Sequence, residues 1–316
     1  MKQGKDREFD KMDRRAFCKK SFAVGAAIYG ASFFGWTTNL AAQDTSAFIP
    51  DLVAVKNGEP DVLFDKAIEA MGGMSKFVQK GQKVLVKPNI GWNSTPETGA
   101  NTNPLLVKRI VEHCVNAGAK KVYVFDHAVD YSVQTYETSG IAEAAKAGGA
   151  TVVPAHEEKY YHKVAVPGSQ VLKELQVHEM LLESDVFINV PVLKHHMASD
   201  ITIAMKNLMG VVWDRGFYHN NGLDQCIAEF CLYRKPDLNV VDAYLVMMAR
   251  GPKWGGPEDR SLKKTLLISQ DIVAIDAAAA KIFGVEPEKI PHIKLGHEKQ
   301  VGNMNLEGRN IKRIPL

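Results

Sequence analysis

The 316 residues carry 39 Lys/Arg against 36 Asp/Glu, a formal charge of +3, and 46% of them are hydrophobic, enough for a full core without disulfide staples. The excess charge sits at the start: residues 1–42 hold eight Lys/Arg and four Asp/Glu, which leaves 31 against 32 in the remainder. A body near neutrality with no basic stripe argues against nucleic acid as the main partner.

The chain opens on Asp13-Arg14-Arg15-Ala16-Phe17-Cys18-Lys19, which resembles the twin-arginine export motif. An Ala- and Gly-rich apolar stretch over residues 22–36 follows, then Asn39-Leu40-Ala41-Ala42 as a cleavage region. A run of about 15 apolar residues is short of the ~20 that span a bilayer. Residues 1–42 are therefore expected to be a targeting segment, either cleaved or kept as an anchor. The expected partner is the twin-arginine translocase and the expected location the periplasm or cell envelope. No transmembrane span is expected beyond that segment, and residues 43–316 are expected to form one domain.

From residue 52 onward, short β-branched runs alternate with helical stretches. Strands are predicted at 52–55, 84–87, 122–126, 151–154, 163–166, 185–191, 238–242 and 265–269. Helices are predicted at 61–70, from Asn103-Pro104 to Gly118, and at 140–147, 177–183, 222–232 and 271–283. Asn103 caps the second of these helices, with Pro104 at its first position. Alternation of this kind predicts an α/β fold, a mainly parallel sheet with helices on both faces. A small subdomain is expected around residues 157–176, and the clearest irregular segment is the Gly- and Pro-rich stretch 250–257.

In open parallel sheets, ligands bind beyond the carboxyl ends of the strands. Four predicted strands bring polar groups there: Lys87 and Asn89, then Asp126 and His127, then Lys194, His195 and His196, and finally Asp242. Each alone has an ordinary explanation, such as a turn for Asn89, a cap for the aspartates and a surface position for His127. Their coincidence on one rim points to a site. If 194–196 is extended, Lys194 and His196 share a side and His195 faces the other way. A Lys and an imidazole on one rim suit an anionic substrate and proton transfer near neutral pH. Lys206 and Asn207 stand among apolar neighbours, so Lys206 is either partnered by an aspartate or a base of lowered pKa. Asp276 interrupts an apolar helix, where it holds Lys206, holds a rim cation or faces buried backbone.

Cys114, Cys226 and Cys231 lie in the body with no C-x-x-C spacing, and no iron–sulfur cluster is expected. There is also no G-x-x-x-x-G-K-[ST], no G-x-S-x-G and no H-E-x-x-H, which disfavours nucleotide hydrolysis, serine esterase and zincin chemistry.

The blocks Val86-Lys87-Pro88-Asn89, Thr102-Asn103-Pro104, Ile188-Asn189-Val190-Pro191-Val192-Leu193-Lys194-His195-His196, Met205-Lys206-Asn207-Leu208-Met209-Gly210 and Asp271-Ile272-Val273-Ala274-Ile275-Asp276 resemble, in order, the domain-of-unknown-function 362 family. The resemblance implies an α/β fold and marks Lys87, Asn89, Lys194, His196, Lys206, Asn207 and Asp276. It implies no established reaction. Some members carry a ferredoxin-like module, whose cysteines are missing here. The layout is also distantly similar to nickel-dependent lactate racemase.

The leading expectation is an exported enzyme acting on a small anionic substrate, with His196, Lys206 and Lys194 catalytic and Lys87, Asn89, Asn207 and His195 holding the substrate. Asp126, Asp242 and Asp276 are candidates for a divalent cation, Mg²⁺ or Ca²⁺ by their hard oxygens, and His196 would admit Zn²⁺ or Ni²⁺. The rival expectation is a non-catalytic accessory protein that binds a ligand or cofactor. A His or Lys of strongly shifted pKa in an accessible cavity separates the enzyme from the carrier.

Overall fold

The computed structural model describes residues 49–316, so the targeting segment expected over 1–42 lies outside the described residues. The strands are β1 (Leu52–Lys56), β2 (Lys83–Pro88), β3 (Lys121–Val124), β4 (Thr151–Val152), β5 (Tyr161–Ala165), β6 (Glu174–His178), β7 (Val186–Val190), β8 (Val192–His196), β9 (Asp200–Thr202), β10 (Leu238–Met247), β11 (Arg260–Ser269) and β12 (Ile311–Pro315). The helices are α1 (Pro60–Ala70), α2 (Pro104–Asn116), α3 (Ser132–Thr138), α4 (Ile141–Ala147), α5 (Glu179–Glu183), α6 (Ala204–Asn207), α7 (Arg215–Asn220), α8 (Leu223–Tyr233), α9 (Ile272–Phe283) and α10 (Pro291–Glu298).

A ten-stranded sheet runs β12-β1-β11-β10-β7-β2-β3-β4, with β8 paired to β10 and β9 to β8. The pairs β10–β7, β7–β2, β2–β3 and β3–β4 are parallel, as are β1–β12 and β8–β10, while β11 is antiparallel to both of its neighbours. This is an α/β fold on a mixed, mostly parallel sheet. The period-2 alternation of a strand sorts side chains between two cores. Val84 and Val86 of β2 and Val186, Ile188 and Val190 of β7 enter the core under α1, α2 and α4, with Cys114 among them. Leu85 and Phe187 enter the opposite core, built with α6, α8, α9 and α10, which also holds Cys226 and Cys231. All three cysteines are free and buried.

Capping follows the sequence where the sequence is explicit. The Asn103 side chain accepts from Leu105 N with Pro104 at the first helical position, and Asp271 accepts from Val273 N and Ala274 N at the start of α9. Some expected boundaries change. The helix predicted at 177–183 is helical over Glu179–Glu183 but strand at its first two residues: β6 runs to His178, because Leu175 and Val177 alternate into the core while the strand pairs with β5. The strand predicted at 238–242 continues to Met247 along β11. The two-stranded β5–β6 sheet stands apart from the main one. No helix among the described residues is long and apolar enough to cross a membrane.

Candidate active site

The ladder between β2 and β7 ends at Pro88 opposite Val190, and beyond it β8 follows β10 and β9. A cavity of about 410 Å³ lies there, at the carboxyl ends of the central parallel strands. Alternation along β2 sends Lys87 to the same face as Leu85, where it is wholly buried. Its ammonium lies 2.8 Å from Asp126 Oδ1 and donates to Pro88 O at 2.9 Å. Asp126 comes two residues after β3, its Oδ2 accepts from Ile90 N at 2.6 Å, and the Tyr136 hydroxyl bonds both its N and its O. Gly210 closes over this pair. A Cβ there would stand 1.7 Å from Asp126 Oδ1 and 2.6 Å from Lys87 Nζ, so only glycine leaves the pair room.

A row of amides runs from the cavity into the sheet. Lys194 Nζ donates to Asn89 Oδ1 at 3.2 Å and makes a close contact with Ala100 O. Asn89 Nδ2 donates to Asn207 Oδ1 at 3.0 Å, Asn207 Nδ2 to Asn189 Oδ1 at 2.8 Å, and Asn189 Nδ2 to Asn239 Oδ1 at 3.1 Å. Each amide spends its oxygen on one neighbour and its nitrogen on the next, which fixes the orientation of the whole row. Asp276 accepts from Ala204 N at 2.7 Å and Met205 N at 3.0 Å, satisfying the first amides of α6, the helix that carries Lys206 and Asn207.

Lining the cavity, the cations Lys194, Lys206 and Arg215 face one carboxylate, Asp126, which is itself paired with buried Lys87 behind it. Arg215 donates to His127 O at 2.7 Å and Ala128 O at 2.9 Å, carbonyls that leave its charge uncancelled. Among the described residues no carboxylate forms an ion pair with Lys194 or Lys206. Burial, reinforced by Lys206 and Lys87, pushes the Lys194 ammonium down to about 7. Burial and Arg215 push Lys206 down to about 8. Burial and the two lysines hold His196 down at about 3, and burial with Arg215 holds His127 at about 4, so both imidazoles are neutral.

Their hydrogen bonds give the two rings opposite tautomers. His196 Nδ1 accepts from Ala198 N at 3.1 Å, which leaves the proton on Nε2. His127 Nδ1 faces Val212 O at 2.9 Å, and a carbonyl only accepts, so His127 carries its proton there and has a bare Nε2. The His127 ring is stacked on Trp213, with centroids 5.0 Å apart and planes 3° apart.

The family model described as Domain of unknown function (DUF362) matches residues 84–281, from β2 to α9. The chain belongs to the DUF362 family. It is 27% identical over 232 residues to a thylakoid-associated protein of Synechocystis sp., covering 71% of this chain and 70% of that one. Two solved structures are similar in part. The lactate racemase apoprotein from Thermoanaerobacterium thermosaccharolyticum is 13% identical, with a TM-score of 0.42 over 62% of this chain. A protein from Thermotoga maritima is also 13% identical, with a TM-score of 0.39 over 58% of this chain. The chain spans half the length of each of these two.

The DUF362 match encloses every sequence-predicted site residue, and the fold sorts them. Lys194, His196, Lys206, Asn89, Asn207 and Asp126 line the cavity, and Lys87 reaches it through Asp126. Three do not. His195 alternates away along β8, where its Nδ1 accepts from Gly251 N at 3.1 Å and steadies the 250–257 loop. Asp242 sits within β10 and not at its end, accepting from Asn103 N at 2.7 Å and Tyr244 N at 3.0 Å. Asp276 lies beneath α6, on backbone amides. The three aspartates therefore do not share a ligand, and no group of three or more His, Cys, Asp or Glu suited to a metal occurs among the described residues. That donor set does not fit a protein-held divalent cation.

The sequence reading missed Arg215, His219, Trp92 and Trp254, all on the cavity wall, and placed His127 on the rim without giving it a role. It also passed over Asn189 and Asn239. An amide inside each of the apolar runs Ile188-Asn189-Val190 and Leu238-Asn239-Val240 was the available signal, because a buried strand has no other use for it.

Proposed function

We propose that this protein is an exported enzyme whose cavity binds a small organic anion and moves a proton on it. The observation that carries the reading is the charge lining the cavity: three cations against one carboxylate that Lys87 already neutralises, with Lys194 and Lys206 unpaired by any acid among the described residues. Lys206 and Arg215 hold the anion. Lys194, down at about 7, is about half neutral amine at neutral pH and is the base. An arriving anion raises the lysine's affinity for a proton, so the base in the complex is the fraction of Lys194 that stays neutral, and that fraction grows as pH rises. His196, protonated on Nε2, donates to the oxygen on which charge develops, a role opposite to that of a base. Lys87 and Asp126 neutralise one another, Asp126 holds Ile90 in place, and Gly210 packs over the pair. A lysine of such lowered pKa beside a neutral imidazole in an open cavity favours the enzyme over an inert carrier. Export rests on the Arg14-Arg15 motif.

The test has two parts on the full chain. Calorimetric titration with acetate, lactate and phosphate should show binding that Lys206→Met weakens. Solvent-deuterium incorporation at the carbon next to the carboxylate of small hydroxy and oxo acids should occur with wild type and be lost in Lys194→Met. Binding without exchange for any acid would return the protein to the carrier class. Absence of binding would remove the anion reading altogether.

A further inference from the structure

We infer that the anion is amphiphilic: a carboxylate or phosphate head on the lysines, carried by a planar apolar body that packs at the cavity mouth. The inference deepens the anion-binding reading and rests on it. Polarity around the cavity is graded by depth. Lys194 is 1% exposed at the inner end. At the outer end Trp254 is 57% exposed, Met197 67% and Val129 53%, and all three line the same cavity. Half-buried Trp92 stands between, its ring centroid 6.1 Å from that of Trp254.

Exposed large apolar side chains gathered around one opening are uncommon on a soluble surface and mark a site of contact. These are not the tips of a frayed loop. Lys253 lies over both indoles, at 4.9 Å from the Trp92 centroid and 5.7 Å from that of Trp254, and pairs with Asp130 at 2.8 Å. Gly251 N is tied to His195, Gly255 O accepts from Arg260 at 3.0 Å, and Gly256 N donates to Asp259 at 2.8 Å. A tryptophan held outward by this much hydrogen bonding is an apolar wall prepared in advance. Size agrees. About 410 Å³ falls within the roughly 300–1,000 Å³ of cavities that enclose drug-sized organic molecules. An inorganic anion or a two-carbon acid would leave most of it, and all of the indole wall, unused.

The experiment is titration of the full chain with four probes: acetate, 2-naphthoate, neutral 2-naphthol, and vesicles of phosphatidylglycerol. Naphthoate should bind at least about tenfold more tightly than acetate, as burial of an apolar ring requires, and more tightly than naphthol. In Trp254→Ala, and independently in Met197→Gln, the ratio of the acetate and naphthoate Kd values should fall toward one. Lys206→Met should weaken both acids together. Equal affinities for the two acids overturn the amphiphile while leaving the anion reading intact. No binding of either acid overturns both. Binding of vesicles without binding of naphthoate overturns the soluble amphiphile in favour of a membrane surface.

Discussion

At the scale of single residues, the site is a problem in placing like charges close together. Lys87 and Asp126 form a buried pair at 2.8 Å, and burial still drives the Lys87 ammonium below its ordinary value despite that partner. Lys194 and Lys206 lack such a partner and repel one another, and the repulsion is what a bound anion would relieve. A pH dependence follows with a definite sign. Both ammoniums are charged below their empty-site values of about 7 and about 8, and both are raised when an anion binds. Affinity for acetate should therefore be level near pH 6, where the acid is fully ionised and both lysines are charged, and fall as pH rises through 7 to 8, with proton uptake on binding across that window. Titrations in two buffers of different ionisation enthalpy measure the uptake directly. An affinity that rises with pH would contradict the assignment. In Lys194→Met the lower step should disappear, leaving the one near 8.

At the scale of elements, α6 shows how the fold holds a reactive side chain. Four residues cannot stand as an isolated helix, because nucleation fixes more backbone than so few hydrogen bonds repay. Asp276 of α9 satisfies its first two amides, and Asn207 at its other end is bound to Asn89 and Asn189. Asp276→Ala should destabilise the protein by about 2–4 kcal/mol in denaturant unfolding, since two buried donors lose their acceptor. It should also weaken acetate binding, because the segment carrying Lys206 loses its anchor. Asp276→Asn, which keeps one acceptor oxygen, should recover part of both. Undiminished binding in a destabilised Asp276→Ala would show that α6 is positioned by the amide row alone.

The same elements show what the sequence could convey. Caps at Asn103 and Asp271, and the period-2 pattern that puts Lys87 with Leu85 and turns His195 from Lys194, are local properties, legible before any coordinates. The reach of β10 past Asp242 is not local. It depends on β11 lying alongside, and the misplacement of Asp242 at a strand end follows from that. Arg215 escaped notice because no pattern surrounds it; it enters the site only through the carbonyls of His127 and Ala128, from a strand end far away in the chain.

At the scale of the molecule, the site exists only when nearly the whole body has folded. Lys87 follows the second strand, Lys206 sits between β9 and α8, and Asp276 beneath α6 comes from α9, so a chain held unfolded would have no cavity. A route that exports proteins already folded suits such a construction, and Arg14-Arg15 with the apolar run 22–36 is the sequence feature that would direct it. Arg14→Lys together with Arg15→Lys preserves charge while removing the arginine pair. In cells with a twin-arginine translocase the wild-type chain should appear in the exported fraction, and the double variant should remain in the cytoplasm. The retained variant should still bind acetate with wild-type affinity, because the residues described as lining the cavity, from Asn89 to Trp254, are unchanged in it. Mass spectrometry of the exported chain distinguishes cleavage near residue 42 from an uncleaved anchor. Equal export of both chains would mean that the arginine pair is incidental and that another signal carries the protein across.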